Sequence, residues 1–81
     1  MSENQDQKTL SFGEKAVGLS FNPSGNEDVQ NLKELSAAFI DACNELREKS
    51  TDNEVKRQAA IAITEAQTAQ MWAVKAATWG K

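Results

Sequence analysis

Histidine and tyrosine are missing from this 81-residue sequence, and cysteine occurs once, at Cys43. Without histidine the usual proton shuttle at neutral pH is gone. One cysteine and no histidine leave neither an internal disulfide nor an ordinary transition-metal site, so no metal and no cofactor is expected. No apolar run approaches the roughly 20 residues of a membrane span. The polar start MSENQDQK carries no signal-peptide core, and with a lone cysteine this points to the cytoplasm. Positive charge is also in deficit. Nine basic residues against twelve acidic ones give a net charge of −3, which argues against broad binding to DNA or RNA.

What is present is an ordinary globular composition, 40% hydrophobic and 26% charged. A domain of this size has a marginal core and usually needs a disulfide, a metal or self-association. With the first two excluded, an oligomer is expected. Cys43 falls on an apolar helical face, where a structural thiol is a better reading than a nucleophile. Glu45 and Glu48 have helical spacing, but Arg47 and Lys49 beside them suggest a solvated charged face and not a metal-holding carboxylate pair. A binding protein fits better than an enzyme.

The pattern predicts a flexible N-terminus over residues 1–9 and a single all-α domain over 10–81. Leu10, Phe12, Val17, Leu19 and Phe21, interrupted by Gly13 and Gly18, form a short helical turn or an extended arm. Asn22-Pro23-Ser24-Gly25-Asn26 is the strongest turn signal. Ser24 has capping-box spacing to Glu27, so a helix should start near 25 or 27 and run to about Lys49. Val29, Leu32, Ser36, Phe39, Cys43 and Leu46 form its expected apolar stripe, widened by Leu35, Ala38, Ile40 and Ala42. Thr51 and Glu54 repeat the capping-box spacing and open a second helix, about 53–79, with Gly80 after it. That helix holds eight alanines (59, 60, 62, 66, 69, 73, 76 and 77), which allow close approach of neighbouring backbones. Two long antiparallel helices make a helical hairpin. Its leftover apolar surface, Trp72 and Trp79 included, predicts that it oligomerises.

Phe21-Asn22-Pro23-Ser24-Gly25 at the opening of a helix and Ala69-Gln70-Met71-Trp72-Ala73-Val74-Lys75-Ala76 near the end resemble the phage anti-CBASS protein 2 family. With the segment from Arg57 to Glu65, the resemblance spans about residue 18 to the C-terminus, and the MWAVKA run is its most distinctive part. It implies a small helical sponge made by a phage and acting in the cytoplasm of the infected bacterial host. It implies a homohexamer that sequesters cyclic oligonucleotides of the CBASS immune system without hydrolysing them. Cyclic dinucleotides would lie between paired protomers and cyclic trinucleotides near threefold axes.

The candidate ligand-binding residues are Phe21, Asn22, Pro23, Ser24, Gly25 and Lys33 for a dinucleotide, and Arg57, Ile61 and Thr64 for a trinucleotide. A nucleotide needs flat faces for its bases and cations or backbone amides for its phosphates. As a bare pattern, Phe21 suits a hydrophobic staple; the resemblance makes it a stacking ring. Family members often carry Tyr there, so Phe would keep the stack and lose a hydroxyl contact. Lys33 is either a solvated lysine or a phosphate contact two turns into the helix. Arg57 shares one side of its helix with Ile61, Thr64 and Thr68, and either binds phosphate or pairs with Glu54 at i−3. Trp72 and Trp79 suit packing, with Lys75 snorkelling between them. The rival reading is a helical-hairpin oligomer serving as a protein–protein interaction module. It explains the alanine helix and the spare apolar surface equally well.

Overall fold

The computed structural model describes residues 9–81, so all but the last position of the expected flexible N-terminus lies outside the described residues. Three helices follow one another, α1 (Phe12–Val17), α2 (Glu27–Lys49) and α3 (Asn53–Ala77), and no strand occurs among the described residues. Residues 10–21 therefore resolve to a short helix. Ser11 caps it: its Oγ accepts from the Glu14 amide and the Glu14 carboxylate accepts from the Ser11 amide. Gly18 ends it in the left-handed conformation, at φ 64°. Six residues are too few to be helical alone, so tertiary contacts must hold α1. Asp41 of α2 supplies them, accepting from Ser11 Oγ at 2.7 Å and from the Gly13 amide at 2.6 Å. Gly13 makes this approach possible, since a Cβ there would stand 2.1 Å from the Ala37 carbonyl oxygen.

The turn before α2 differs from its expected cap. The Gly25 amide donates to the Asn22 carbonyl at 3.0 Å, and Gly25 adopts φ 67°. Ser24 is thus inside a turn, and Asn26 is the N-cap, its side chain accepting from the Val29 amide. Asn22 explains the choice. Its side chain accepts from the Asn26 amide and donates to the Asn26 carbonyl, holding Asn26 extended at the mouth of the helix. At the second break Asp52, and not Thr51, caps α3 by accepting from the Glu54 amide at 2.8 Å. Lys56 donates across this connection to the Arg47 carbonyl in the last turn of α2.

The three-residue break folds α3 back along α2, placing Ile63 beside Ile40 and Val74 beside Val29. Val17, Ala37, Ile40 and Ile63 form the core, with Ala16, Leu19, Cys43 and Ala66 packed around it. Ile40 is fully buried, and truncating such a residue to Ala costs about 2–5 kcal/mol. Cys43 is half-buried and unbridged.

The expected stripe on α2 is corrected by this packing. The buried line runs through Val29, Lys33, Ala37 and Ile40, while Leu35, Phe39 and Leu46 are exposed. The helix has two apolar faces, of which α1 and α3 cover one. No described helix is long and apolar enough to cross a membrane.

Candidate functional site

Phe21, Asn22, Pro23, Ser24 and Lys33 line one cavity of about 260 Å³, completed by Val29 of α2 and by Val74 and Thr78 of α3. Each reaches it for a local reason. The Phe21 amide donates to the Gly18 carbonyl, which closes a turn directly after α1 and points the chain toward α2. Pro23 and the Asn22 side chain then hold the following turn in one shape. Gly25 contributes its positive φ to that turn, lies outside the cavity lining, and has nothing within 4 Å of where a Cβ would project.

Lys33 is not a solvated lysine. It is 5% exposed, and its ammonium donates to the carbonyls of Gly18 at 2.9 Å and Phe21 at 2.5 Å. The Gly18 carbonyl belongs to the C-cap of α1, where a cation is favoured. No carboxylate among the described residues pairs with Lys33. An ammonium has three donors, so one remains after the two carbonyls are met. Phe21 is not packed as a staple either: the residue is 72% exposed, and the Lys33 ammonium sits 5.5 Å from its ring centroid. The start of α2 is a poor anion site by contrast. Asn26 occupies the Val29 amide, and Glu27 and Asp28 put two carboxylates in the first turn. Positive charge at this cavity comes from Lys33.

Arg57, Ile61 and Thr64 are elsewhere. They follow one another along an exposed side of α3 and do not meet the Phe21 cavity. Arg57 pairs with Glu54 through Nε to Oε1 at 3.0 Å and a terminal nitrogen to Oε2 at 2.7 Å. Gln58 donates to the same Oε2. The Arg57 guanidinium, and then the Gln58 amide, hold the Glu54 carboxyl below its ordinary range, and the carboxylate in turn pushes the Arg57 pKa up.

A second concavity of about 430 Å³ lies between Trp72, Lys75, Ala76 and Trp79. The tryptophans are 65% and 77% exposed, and Lys75 stands 5.4 Å from the Trp72 ring centroid. A groove of about 460 Å³ shares Ala76 and reaches Asp28, Asn31 and Leu32 of α2. The last two turns of α3 are thus ringed by concave surface. Sequence reasoning missed Asp41, which docks α1 from 28 and 30 residues away and has no local signature. It also missed Val74 and Thr78 as neighbours of the Phe21 turn. Among the described residues, no cluster of His, Cys, Asp and Glu could hold a metal.

The fold and its cavities define a small helical-hairpin domain, two of whose concave surfaces combine an aromatic ring with a lysine. The Acb2/Tad1 hairpin domain family matches residues 14–78, and the chain belongs to that family. It is the family that the Phe-Asn-Pro turn and the MWAVKA run resemble. Membership supports an anti-CBASS role of the sponge type, not a catalytic one. No curated protein and no solved structure matches the chain.

Proposed function

We propose that this protein sequesters cyclic di- and trinucleotide second messengers without hydrolysing them, and so blocks CBASS antiphage signalling in the cytoplasm of the infected host. The family supports the general role. The observation that carries the ligand class is the pairing of Phe21 with Lys33 in one cavity. A nucleotide brings a flat base and an anionic phosphate. The exposed Phe21 ring offers a stacking face, and the Lys33 ammonium keeps one donor for a phosphate oxygen.

The cavity, at about 260 Å³, is below the roughly 300–1,000 Å³ of most small-molecule pockets. A cyclic dinucleotide therefore spans the cavities of two paired protomers, each binding one base and one phosphate. Leu35, Phe39, Trp72 and Trp79 supply apolar surface for the contacts of a homohexamer. Cyclic trinucleotides go to the row of Arg57, Ile61 and Thr64, where a cation, an apolar group and a hydroxyl share one side of α3.

The test is to incubate purified protein with a mixed panel of cyclic di- and trinucleotides, remove unbound material, denature by heat and identify what is released. Intact cyclic oligonucleotides are expected. Linear or cleaved products would mean an enzyme. Release of no member of the panel would favour the protein–protein interaction module.

A further inference from the structure

We propose that Glu54 is a built-in competitor for the Arg57 guanidinium, so that an anion binds there by displacing a carboxylate, and that Glu54 thereby sets affinity and selectivity at that position. This rests on the reading of Arg57 as a phosphate contact. The carboxylate takes two donors of the guanidinium fork, at 3.0 and 2.7 Å, in the two-oxygen arrangement by which a phosphodiester would also be held. Gln58 donates to the second of those oxygens at 2.7 Å, which steadies Glu54 in the competing position. The remaining guanidinium edge is open, but the charge behind it is already neutralised.

Both partners are more than half exposed, so exchange needs no opening of the fold. Exposed pairs are weak, and an incoming group that matches both oxygens can replace the carboxylate. A single-point anion such as chloride replaces only one of two bonds and gains little. Glu54 therefore filters for ligands that present a pair of non-bridging oxygens. Ile61 and Thr64 then meet the rest of the ligand, one and two turns further along the same side.

The full-length chain is compared as wild type, Glu54→Gln, Arg57→Gln and the double variant, each first shown by circular dichroism to be folded. One probe is cyclic triadenylate, followed by calorimetry. The other is inorganic phosphate, followed by the Arg57 Nε–H resonance. Glu54→Gln should tighten both by about two- to fivefold, the range set by the strength of exposed ion pairs. Arg57→Gln should weaken both, and adding Glu54→Gln to it should then give no gain. Equal phosphate midpoints at Arg57 in wild type and Glu54→Gln would overturn the competitor. If triadenylate binds and needs Arg57 but ignores Glu54→Gln, the competitor also falls while the trinucleotide reading stands. If triadenylate binds no variant while phosphate still reports the gain, the competitor stands and that reading falls.

Discussion

Lys33 holds Phe21 at both ends of the residue: its ammonium donates to the Phe21 carbonyl at 2.5 Å and lies 5.5 Å from the centroid of the Phe21 ring. The buried charge is thus met by two carbonyls and a ring face, and by no carboxylate among the described residues. The group best placed to meet a phosphate is also the one that shapes the loop presenting the aromatic.

Replacing Lys33 tests that double duty. Lys33→Met keeps the apolar stem and removes the ammonium, leaving the Phe21 carbonyl without its donor and the Gly18 carbonyl with the Phe21 amide alone. The expected loss of stability is about 1.5–3 kcal/mol, the range for hydrogen bonds to a charged group. Thermal melting should show it, and hydrogen exchange should show residues 18–21 loosening before the hairpin. A variant as stable as wild type would mean that the two bonds contribute nothing in solution.

For Phe21 the structure separates stability from binding, because the ring is largely exposed. Stacking is worth roughly 1–3 kcal/mol per base, so Phe21→Ala should weaken cyclic dinucleotide binding about tenfold or more by calorimetry. Its melting temperature should stay near that of wild type. Phe21→Tyr should bind as well or better, since the ring remains and a hydroxyl is added. A stable Phe21→Ala with undiminished affinity would remove the residue from the site.

Close packing of α1 on α2 makes Gly13 intolerant. A methyl group would stand 2.1 Å from the Ala37 carbonyl, a backbone atom that cannot turn away. Gly13→Ala should therefore lift α1 off α2, at about 1–3 kcal/mol, as overpacking usually costs. Amide exchange at 12–18 should rise while α3 stays protected. Unchanged protection of α1 would show that the packing accommodates the methyl group with α1 still docked.

Assembly can be read from the two tryptophans, the only ones in the chain. Both are well exposed in the protomer, so a protomer alone should emit at long wavelength and be quenched readily by acrylamide. At micromolar concentration we expect a multimer by light scattering, with a hexamer the family-based size, and a blue-shifted, protected emission. A monodisperse, folded monomer with exposed tryptophans would defeat the oligomer.

The Glu54–Arg57 pair has a pH signature. Its folded carboxyl titrates below the ordinary glutamate range, with Arg57 the main cause. The pair therefore adds to stability above the unfolded glutamate pKa, and that addition is lost as pH falls through the lower folded value. Carbon-detected NMR titration of Glu54 should give a midpoint below that of an unpaired glutamate, moving up in Arg57→Gln. An identical midpoint in both would mean that the pair is unpopulated.

How much of this was legible beforehand depends on the distance over which each cause acts. Helix boundaries rest on neighbours a few residues apart, and Pro23, the charged helix ends and the break at 50–52 announce them. The caps were misread by one or two positions because several side chains competed for the same amides. Asn26 beat Ser24 only once Asn22 had fixed its backbone. The burial of Lys33 was hidden for a related reason. The partners expected for a lysine are carboxylates one turn away, whereas its real partners are carbonyls 12 and 15 residues back.

By itself, then, the sequence determined the all-helical hairpin, its turns and the family, since periodicity, turn chemistry and the MWAVKA run are carried by adjacent residues. The tertiary structure alone decided which apolar face of α2 is covered, that Asp41 anchors α1, and that Val74 and Thr78 close a cavity around Phe21 and Lys33. Those outcomes follow from the register of α3 against α2 and from the docking of α1. Register is a property of packed surfaces, and no single segment encodes it.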